Sequence, residues 1–342
     1  MDKNCTVVAL DGSGGDNKDT RPVVEAVRFA MAMYPSLYLI IFGTTQLKND
    51  LLKAQVDVTR YEFRLAQQVI AQDEPMRSVI KNYSNSAMYK ALECVKNKEA
   101  DSMISSGGTG PLVTLARHLL GVQKLSAKCI KLKERNHIAS RDGLVRPCFA
   151  ARIPVAPERF ALMMDLGANA NCQSHDLYDF ALLGHAFAKL SLELDSPRIA
   201  LLNVGTEMGK GSMMIRQARH YLEQERAVQF TGFIEANRIF CDDADIIITD
   251  GFTGNIALKA AEGVADLYAN GTGMKKFFSK MARPQWLLPW QYNGSVLLGV
   301  NGLVIKSHAS AGKEALAVAV VEAAKVAHAQ LSSKMQAQLL DI

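Results

Sequence analysis

The stretch ADIIITDGFTGNIALK, residues 244–259, decides the fold class because a glycine-containing turn joins an apolar run to a helical pattern. A short run of β-branched residues between turn signals is typical of a buried strand. The order strand, glycine turn and helix gathers backbone N–H groups at a helix N-terminus, where they can hold an anion. The stretch therefore predicts an α/β unit with an anion-binding corner. The pattern alone does not indicate a particular reaction.

Apolar runs of the same kind alternate with helical patterns along the 342 residues. The six strand-like runs are TVVAL (6–10), LYLIIFG (37–43), DSMISSGG (101–108), FALMMDLG (160–167), RIALLNVG (198–205) and ADIIITDG (244–251). Helices are predicted at 21–34, 85–98, 111–121, 175–192, 212–226 and 255–269, with one long alanine-rich helix at 312–338. The alternation predicts an α/β fold of three layers, with a mostly parallel sheet and helices on both faces.

The organisation is interpreted as a single α/β catalytic unit, residues 1–342, with a soft lobe boundary near 125–159. The second half of this segment, RPCFAARIPVAP (146–157), holds three prolines. We therefore interpret 125–159 as an excursion from the alternating core.

Composition narrows the class of protein. A hydrophobic content of 49% supports a large core, and the formal charge of +5 is spread along the chain without a nucleic-acid-binding arm. Six scattered cysteines lack the spacing of a zinc site, and no N-terminal segment resembles a signal peptide. We expect a reduced cytoplasmic protein with no metal and no cofactor. Because no uncharged apolar run reaches the roughly 18 residues of a spanning helix, any membrane contact should be peripheral.

Glycine-rich turns follow two of the predicted strands. DGSGGD (11–16) could wrap an oxyanion with backbone N–H groups, and SSGGTG (105–110) precedes a helix that opens with Pro111. Neither turn is a dinucleotide fingerprint or a P-loop. Taken alone, each fits a tight turn without a ligand equally well.

Asparagine, lysine and histidine lie at the ends of further strands. DLGANANC (165–172) and LLNVGTEMGKG (201–211) carry amides that can donate to an oxyanion, although an Asx turn is an equal alternative for each. LLGVNGLVIKSHASAGKEAL (297–316) adds Lys306, which can approach phosphate, and His308, which can protonate a leaving thiolate. A simply hydrogen-bonded histidine is the alternative for His308.

Taken in order, these blocks resemble the PlsX family of phosphate acyltransferases across nearly the whole chain. The matching blocks are LDGSGGD, SSGGTG, RPCFAARIP, DLGANANC, PRIALLNVGTEMGKG, TGFIEANRIF, DGFTGNIALK and LLGVNGLVIKSHASA. The resemblance implies transfer of a fatty acyl group from an acyl carrier protein thioester to inorganic phosphate, giving acyl phosphate for phospholipid synthesis. It also implies a fold similar to phosphotransacetylases and isocitrate dehydrogenase-like enzymes, a homodimer, and peripheral contact with the inner face of the membrane.

The residue chemistry agrees with direct attack of phosphate on the thioester, without a serine or cysteine nucleophile. Candidate catalytic residues are His308, Lys306, Asn255, Asp250 and Lys210. Candidate substrate-binding residues are Asp11, Gly14, Gly15, Asp16, Ser106, Gly107, Thr109, Asn169, Asn203, Gly251, Thr253 and Gly254. The lysines would supply positive charge, Asp250 and Asn169 would orient partners, and His308 would act as the acid toward sulfur. We expect the glycine-bearing corners to meet at a single pocket.

Some positions depart from the family pattern. Gly12 and Ser13 replace Ala and Met of its first turn, Gly108 stands where it usually carries Asn, and Ala309 replaces a glycine after His308. The basic stretch before its paired serines is thinner in VIKNYSNS (79–86). Two alternatives therefore stay open: a short-chain phosphotransacylase using acyl-CoA, and a noncatalytic sensor that binds acyl groups or phosphate.

One segment combines cations and aromatic rings. Within the candidate interfacial or dimer-associated segment 270–293, MKKFFSKMARPQWLLPW (274–290) carries Trp286 and Trp290 among lysines. Such a segment can lie in a bilayer interface with its lysines toward anionic lipid. A dimer-packing or core helix pair is the alternative.

Overall fold

The computed structural model describes residues 5–15, 19–135, 137–139, 142–269 and 293–342. Asp16 and the candidate interfacial segment up to residue 292 lie outside the described residues. The chain forms two compact units. Unit 1 comprises Met1–Lys124 with Asn293–Ala337, and unit 2 comprises Leu125–Tyr292 with Gln338–Ile342.

Unit 1 is built on six strands in the order β3-β2-β1-β4-β11-β10, and only β10 runs antiparallel to its neighbour β11. The strands are β1 (Thr6–Asp11), β2 (Leu37–Gly43), β3 (Tyr61–Leu65), β4 (Ser102–Ser105), β10 (Ser295–Leu298) and β11 (Val304–Lys306). The helices are α1 (Arg21–Met33), α2 (Thr45–Lys53), α3 (Met76–Asn82), α4 (Ala87–Lys96), α5 (Thr109–Leu120) and α10 (Lys313–His328). The last helix, α11 (Leu331–Asp341), begins in unit 1 and ends in unit 2.

Burial explains why unit 1 forms layers. Val8, Ala9 and Leu10 of β1 are all buried, as expected for a parallel strand covered on both faces. Helix α10 packs against β1, β4 and α1, while α4 packs against β1, β2 and β4. Because parallel strands point the same way, the carboxyl ends of β1 and β4 meet at one edge of this sheet.

Unit 2 holds five strands in the order β5-β6-β9-β7-β8, and only β5 runs antiparallel to its neighbour. The strands are β5 (Cys148–Ala156), β6 (Arg159–Met164), β7 (Arg198–Asn203), β8 (Gln229–Glu235) and β9 (Ile246–Ile248). The helices are α6 (Ala127–Arg135), α7 (Ser174–Ser191), α8 (Met213–Gln224) and α9 (Gly251–Ala269). Helix α7 packs on β6 and β9. Because β6, β9 and β7 are parallel neighbours, their carboxyl ends share one edge.

Two expectations about elements are wrong. Residues 148–156 are not an excursion, because β5 pairs with β6 and tolerates Pro154 beside an irregularity in the ladder. The predicted single helix at 312–338 is two helices, and Gln330 between them has a φ of 54°. A left-handed residue of this kind ends a helix.

No single helix in the described ranges is long and apolar enough to cross a membrane. By length and composition alone, Lys313–His328 and Ser333–Asp341 pass that test together as a pair bent by 59°.

Candidate active site

In unit 1, the buried carboxylate of Asp11 organises the corner at the end of β1. Its Oδ2 accepts a hydrogen bond from the Ser105 hydroxyl at 2.6 Å, and the Ser105 oxygen accepts one from the Gly107 N–H at 2.9 Å. Its Oδ1 accepts from the Ser13 N–H at 3.2 Å. Burial raises the pKa of Asp11, whereas the bond from Ser105 and the positive charge of Lys306 act in the opposite direction.

Glycines allow the 11–15 turn to lie directly on neighbouring turns. A Cβ placed on Gly14 would lie 2.6 Å from the Gly107 nitrogen, and one on Gly15 would lie 3.0 Å from the Ala309 carbonyl oxygen. Gly15 also has a φ of 104°, which favours glycine. Three turns of unit 1 are therefore in contact. The candidate residues brought together here are Asp11, Gly14, Gly15, Ser106 and Gly107.

Lys306 and His308 reach this corner from β11 and the loop after it. Lys306 lies opposite Ser105 in the β11–β4 ladder. The His308 N–H donates to Asn293 Oδ1 at 3.1 Å, and Asn293 Nδ2 donates to the Ser307 hydroxyl at 2.8 Å. Asn293 thus fixes the backbone around His308. Sequence reasoning missed this residue.

Gly108 is the N-cap of α5, which begins at Thr109, and Gly108 has a packing reason to lack a side chain. A Cβ at Gly108 would lie 2.9 Å from the Gln72 carbonyl oxygen. The loop at Gln72 therefore occupies the space that the side chain of the family's usual asparagine would need. Beside this loop, a cavity of about 10 Å³ is lined in part by Asp11, Gly107 and residues 68–70. That volume suits about one water molecule.

In unit 2, the buried carboxylate of Asp165 organises the turn after β6. Its Oδ1 accepts from the N–H groups of Phe149 at 2.8 Å and Ala168 at 3.1 Å. Its Oδ2 accepts from Asn169 twice, from the backbone N–H at 2.7 Å and from the side-chain amide at 2.9 Å. Burial raises the pKa of Asp165, and these four donors oppose that rise. Sequence reasoning missed Asp165, although an acid near glycine at a strand end was the signal that selected Asp250.

Asn169 is fully engaged as a donor. Besides its bond to Asp165, Nδ2 donates to the Pro147 carbonyl at 2.8 Å, and Oδ1 accepts from Arg146 Nε. Arg146 in turn pairs with the buried Asp176 at 2.7 Å. Because an amide has only two N–H donors, the predicted donation from Asn169 to an oxyanion is not available in this arrangement. Asn169 orients the turn instead.

Asp250 caps α9, which begins at Gly251, four residues earlier than predicted from the sequence. Its Oδ1 accepts from the Thr253 N–H at 2.9 Å, and its Oδ2 accepts from the Thr253 hydroxyl at 2.7 Å. The Gly251 N–H donates to the Asn169 carbonyl at 3.0 Å, and the Gly254 N–H to the Asp250 carbonyl at 2.9 Å. Acceptors of the chain therefore already take the N–H groups of Gly251, Thr253 and Gly254 in the predicted anion cradle.

Asn255 differs from its neighbours in α9. Its half-buried side chain lies beside Gly167, where a Cβ would be 3.7 Å from the Asn255 Cγ. Within the described parts of the chain, the Asn255 amide makes no hydrogen bond. Its amide is therefore available to a ligand.

Asn203 ends β7 at the same edge of unit 2. Its Oδ1 accepts from the Val204 N–H at 2.9 Å, and its Nδ2 donates to the Lys210 carbonyl at 3.2 Å. The side chain of Lys210 is exposed. Asn203 therefore holds the two ends of the loop that carries Lys210. Within the described residues, the bond to the Lys210 carbonyl uses one of the two N–H groups of its side-chain amide.

Comparisons with known proteins show the family to which the chain belongs. A family model described as fatty acid synthesis protein matches residues 6–334. A phosphate acyltransferase from Aeromonas salmonicida is 36% identical over 336 residues, which cover 95% of this chain and 94% of the relative. One from Vibrio parahaemolyticus is 34% identical over 347 residues, covering 97% and 96%.

The fold is also similar to solved structures. The EutD phosphotransacetylase from Staphylococcus aureus has a TM-score of 0.58 at 16% identity, covering 95% of this chain and 94% of that one. A phosphotransacetylase from Streptococcus pyogenes has a TM-score of 0.59 at 17% identity, with the same coverage. These likenesses confirm the predicted α/β fold class. The sequence matches go further: the chain belongs to the fatty acid synthesis protein family, the PlsX family of phosphate acyltransferases, and is an acyltransferase enzyme.

Proposed function

We propose that this protein transfers a fatty acyl group from acyl carrier protein to inorganic phosphate, forming acyl phosphate for phospholipid synthesis. A phosphate oxygen attacks the thioester carbonyl carbon, and a tetrahedral oxyanion forms. The C–S bond then breaks, and the thiolate leaves with a proton from His308. Phosphate is an anionic nucleophile near neutral pH, so the site must hold it and stabilise the oxyanion rather than supply a strong base.

The contact among three turns of unit 1 is the observation that carries this proposal. The hydroxyl of Ser106 and the first turn of α5 provide donors, and Lys306 provides positive charge beside the buried Asp11. We assign phosphate binding to Ser106, Thr109 and Lys306. Asp11 fixes the turn through Ser105 and Gly107, and His308 is the acid.

In unit 2 we assign ligand contact to Asn255 and Lys210. Asn255 is a free donor and would stabilise the oxyanion, while Lys210 would attract phosphate. Asp165, Asn169 and Asp250 are committed to bonds within the chain, so we assign them to shaping the corner.

A donor comparison tests the proposal. The purified protein is incubated with phosphate and with palmitoyl groups carried either by acyl carrier protein or by CoA, and acyl phosphate is trapped with hydroxylamine. We expect phosphate-dependent hydroxamate, formed faster from the carrier protein. Faster reaction from acyl-CoA would favour a phosphotransacylase. Ligand binding without hydroxamate from either donor would favour the noncatalytic sensor.

Three variants test the residue assignment: Asn255→Ala, Lys306→Ala and His308→Ala. Each should lower turnover by at least about tenfold, the effect typical of a lost charge or of general acid catalysis. Lys313→Ala is the matched control, because Lys313 is a half-buried lysine of unit 1 whose ammonium group lies over the Phe29 ring. Near-normal turnover in all three variants would contradict the assignment of these residues to the active site.

We also propose, from the family resemblance, that the protein is a cytoplasmic homodimer that contacts anionic membrane through 270–293. The test is sedimentation with liposomes containing phosphatidylglycerol. Trp286→Ala combined with Trp290→Ala should reduce the bound fraction, and unchanged binding would contradict membrane contact through this segment.

A further inference from the structure

The loop between β7 and α8, residues 204–212, is held closed from its inner side by Asn203. The Asn203 side chain accepts from the N–H at one end of the loop, on Val204, and donates to the carbonyl near the other end, on Lys210. Gly211 has a φ of 87°, and a Cβ there would lie 2.2 Å from Asn203 Oδ1. A side chain at 211 would therefore displace Asn203.

Arg216, in the first turns of α8, holds the outer side of the same loop. Its NH1 donates to the Gly209 carbonyl at 3.3 Å and to the Gly211 carbonyl at 2.9 Å. These two carbonyls flank Lys210 in the chain. Asn203 bonds the Lys210 carbonyl itself, so three consecutive carbonyls are fixed by two side chains.

The side chain of Lys210 is directed by a close backbone contact. A Cβ on Gly205 would lie 3.2 Å from Lys210 Cγ and 2.6 Å from Glu207 Oε2, so the stem of Lys210 and the carboxylate of Glu207 both pack on this glycine. The Lys210 N–H donates to the Glu207 carbonyl at 3.0 Å. Within the described ranges, the ammonium group pairs with no carboxylate. The loop therefore holds the backbone and stem of Lys210 and leaves its charge exposed.

We propose that Asn203 and Arg216 are positioning residues that hold loop 204–212 so that Lys210 presents its ammonium group to inorganic phosphate. This inference rests on the proposed function. It gives Asn203 a role within the chain in place of direct substrate binding, and it gives a role to Arg216, which the sequence patterns did not single out.

Arg216→Ala tests the proposal through steady-state kinetics. The KM for phosphate should rise about fivefold, as expected for loss of one charge-assisted hydrogen-bonding group, while kcat changes less than about twofold. Arg216→Lys should restore the wild-type KM because an ammonium group can also donate to both carbonyls. Arg219→Ala is the matched control on the same helix, since Arg219 pairs with Glu223 at 2.6 Å. Its KM for phosphate should not change.

A double-mutant cycle shows whether Arg216 acts through Lys210. Lys210→Ala should raise the KM for phosphate at least as much as Arg216→Ala, and adding Arg216→Ala to it should have no further effect. Additive effects, or a fall in kcat at unchanged KM, would overturn the positioning role. If wild-type protein forms acyl phosphate but Arg216→Ala is unaltered, this inference alone fails. If wild-type protein forms none from any donor, the proposed function fails with it.

Discussion

The Asp11 corner of unit 1 and the Asp165 corner of unit 2 look alike in sequence but differ in what their carboxylates bind. Both aspartates follow a buried strand, and burial raises the pKa of both. Asp165 accepts four N–H bonds, whereas Asp11 accepts one from Ser13 together with the Ser105 hydroxyl, and it lies near the charge of Lys306. A carboxylate whose oxygens accept only N–H groups of the chain has a structural role. A carboxylate beside a hydroxyl and a lysine belongs to a corner that can bind an anion.

Asp165→Asn should produce the largest difference between the corners. Whichever oxygen becomes NH2, two N–H donors lose their acceptor: Phe149 with Ala168, or both donors of Asn169. The free energy of unfolding should fall by about 3 kcal/mol, measured in urea. Asp11→Asn is the control and should lose less than about 1 kcal/mol, because its amide can donate to the Ser105 oxygen. Equal losses of unfolding free energy in the two variants would contradict the proposed difference between the two corners.

Gly254→Ala should disturb unit 2 by a smaller amount. Its Cβ would lie 2.1 Å from the Asp165 carbonyl oxygen, so overpacking should cost about 2 kcal/mol of unfolding free energy. Gly263→Ala on the same helix meets nothing within 4 Å and should instead stabilise the protein by up to about 1 kcal/mol. Thermal melts of the two variants measure the contrast. A stabilised Gly254→Ala would show that α9 does not rest on the Asp165 turn.

The pH dependence of stability should reveal the charge of Asp11. Because its folded-state pKa is raised, Asp11 favours folding when protonated, below its unfolded pKa, and this contribution is lost as pH rises through the folded pKa. Asp11→Asn removes that titration. As pH rises through the folded-state pKa, the variant should therefore gain stability relative to the wild type, measured by urea unfolding. A difference that is constant with pH would contradict the raised pKa.

Asn255→Ala should show the smallest change in stability. The amide is half-buried and makes no hydrogen bond within the described residues, so the unfolding free energy should change by less than about 0.5 kcal/mol. Acyl phosphate formation should nevertheless fall strongly. A destabilised variant with normal turnover would place Asn255 with the shaping residues of the Asp165 corner.

The sequence predicts the fold well where strands are long and apolar. β1 and β2 lie almost where their apolar runs predict them. β3 was missed although YEFRL (61–65) alternates apolar and polar residues, because the other strands were predicted from continuous apolar runs. The apolar run before Lys306 predicts one strand, where the structure has the two short strands β10 and β11.

The candidate site divides in a similar way. Glycine order predicts the contact of Asp11, Gly14, Gly15 and Gly107. The role of Asn293 depends on Ser307 and Ala315, which lie 14 and 22 residues away in the chain. No local pattern encodes such contacts. Bonds within the chain also decide which amides remain free, and residue type alone does not reveal them.

Phosphate binding by the Asp11 corner is the central claim, and isothermal titration calorimetry with inorganic phosphate tests it most directly. Wild-type protein should bind phosphate, and Lys306→Ala should weaken the affinity by at least about tenfold, since one charge-assisted contact is lost. Lys313→Ala should bind as tightly as the wild type. Equal phosphate affinity in wild-type protein and Lys306→Ala would contradict the account.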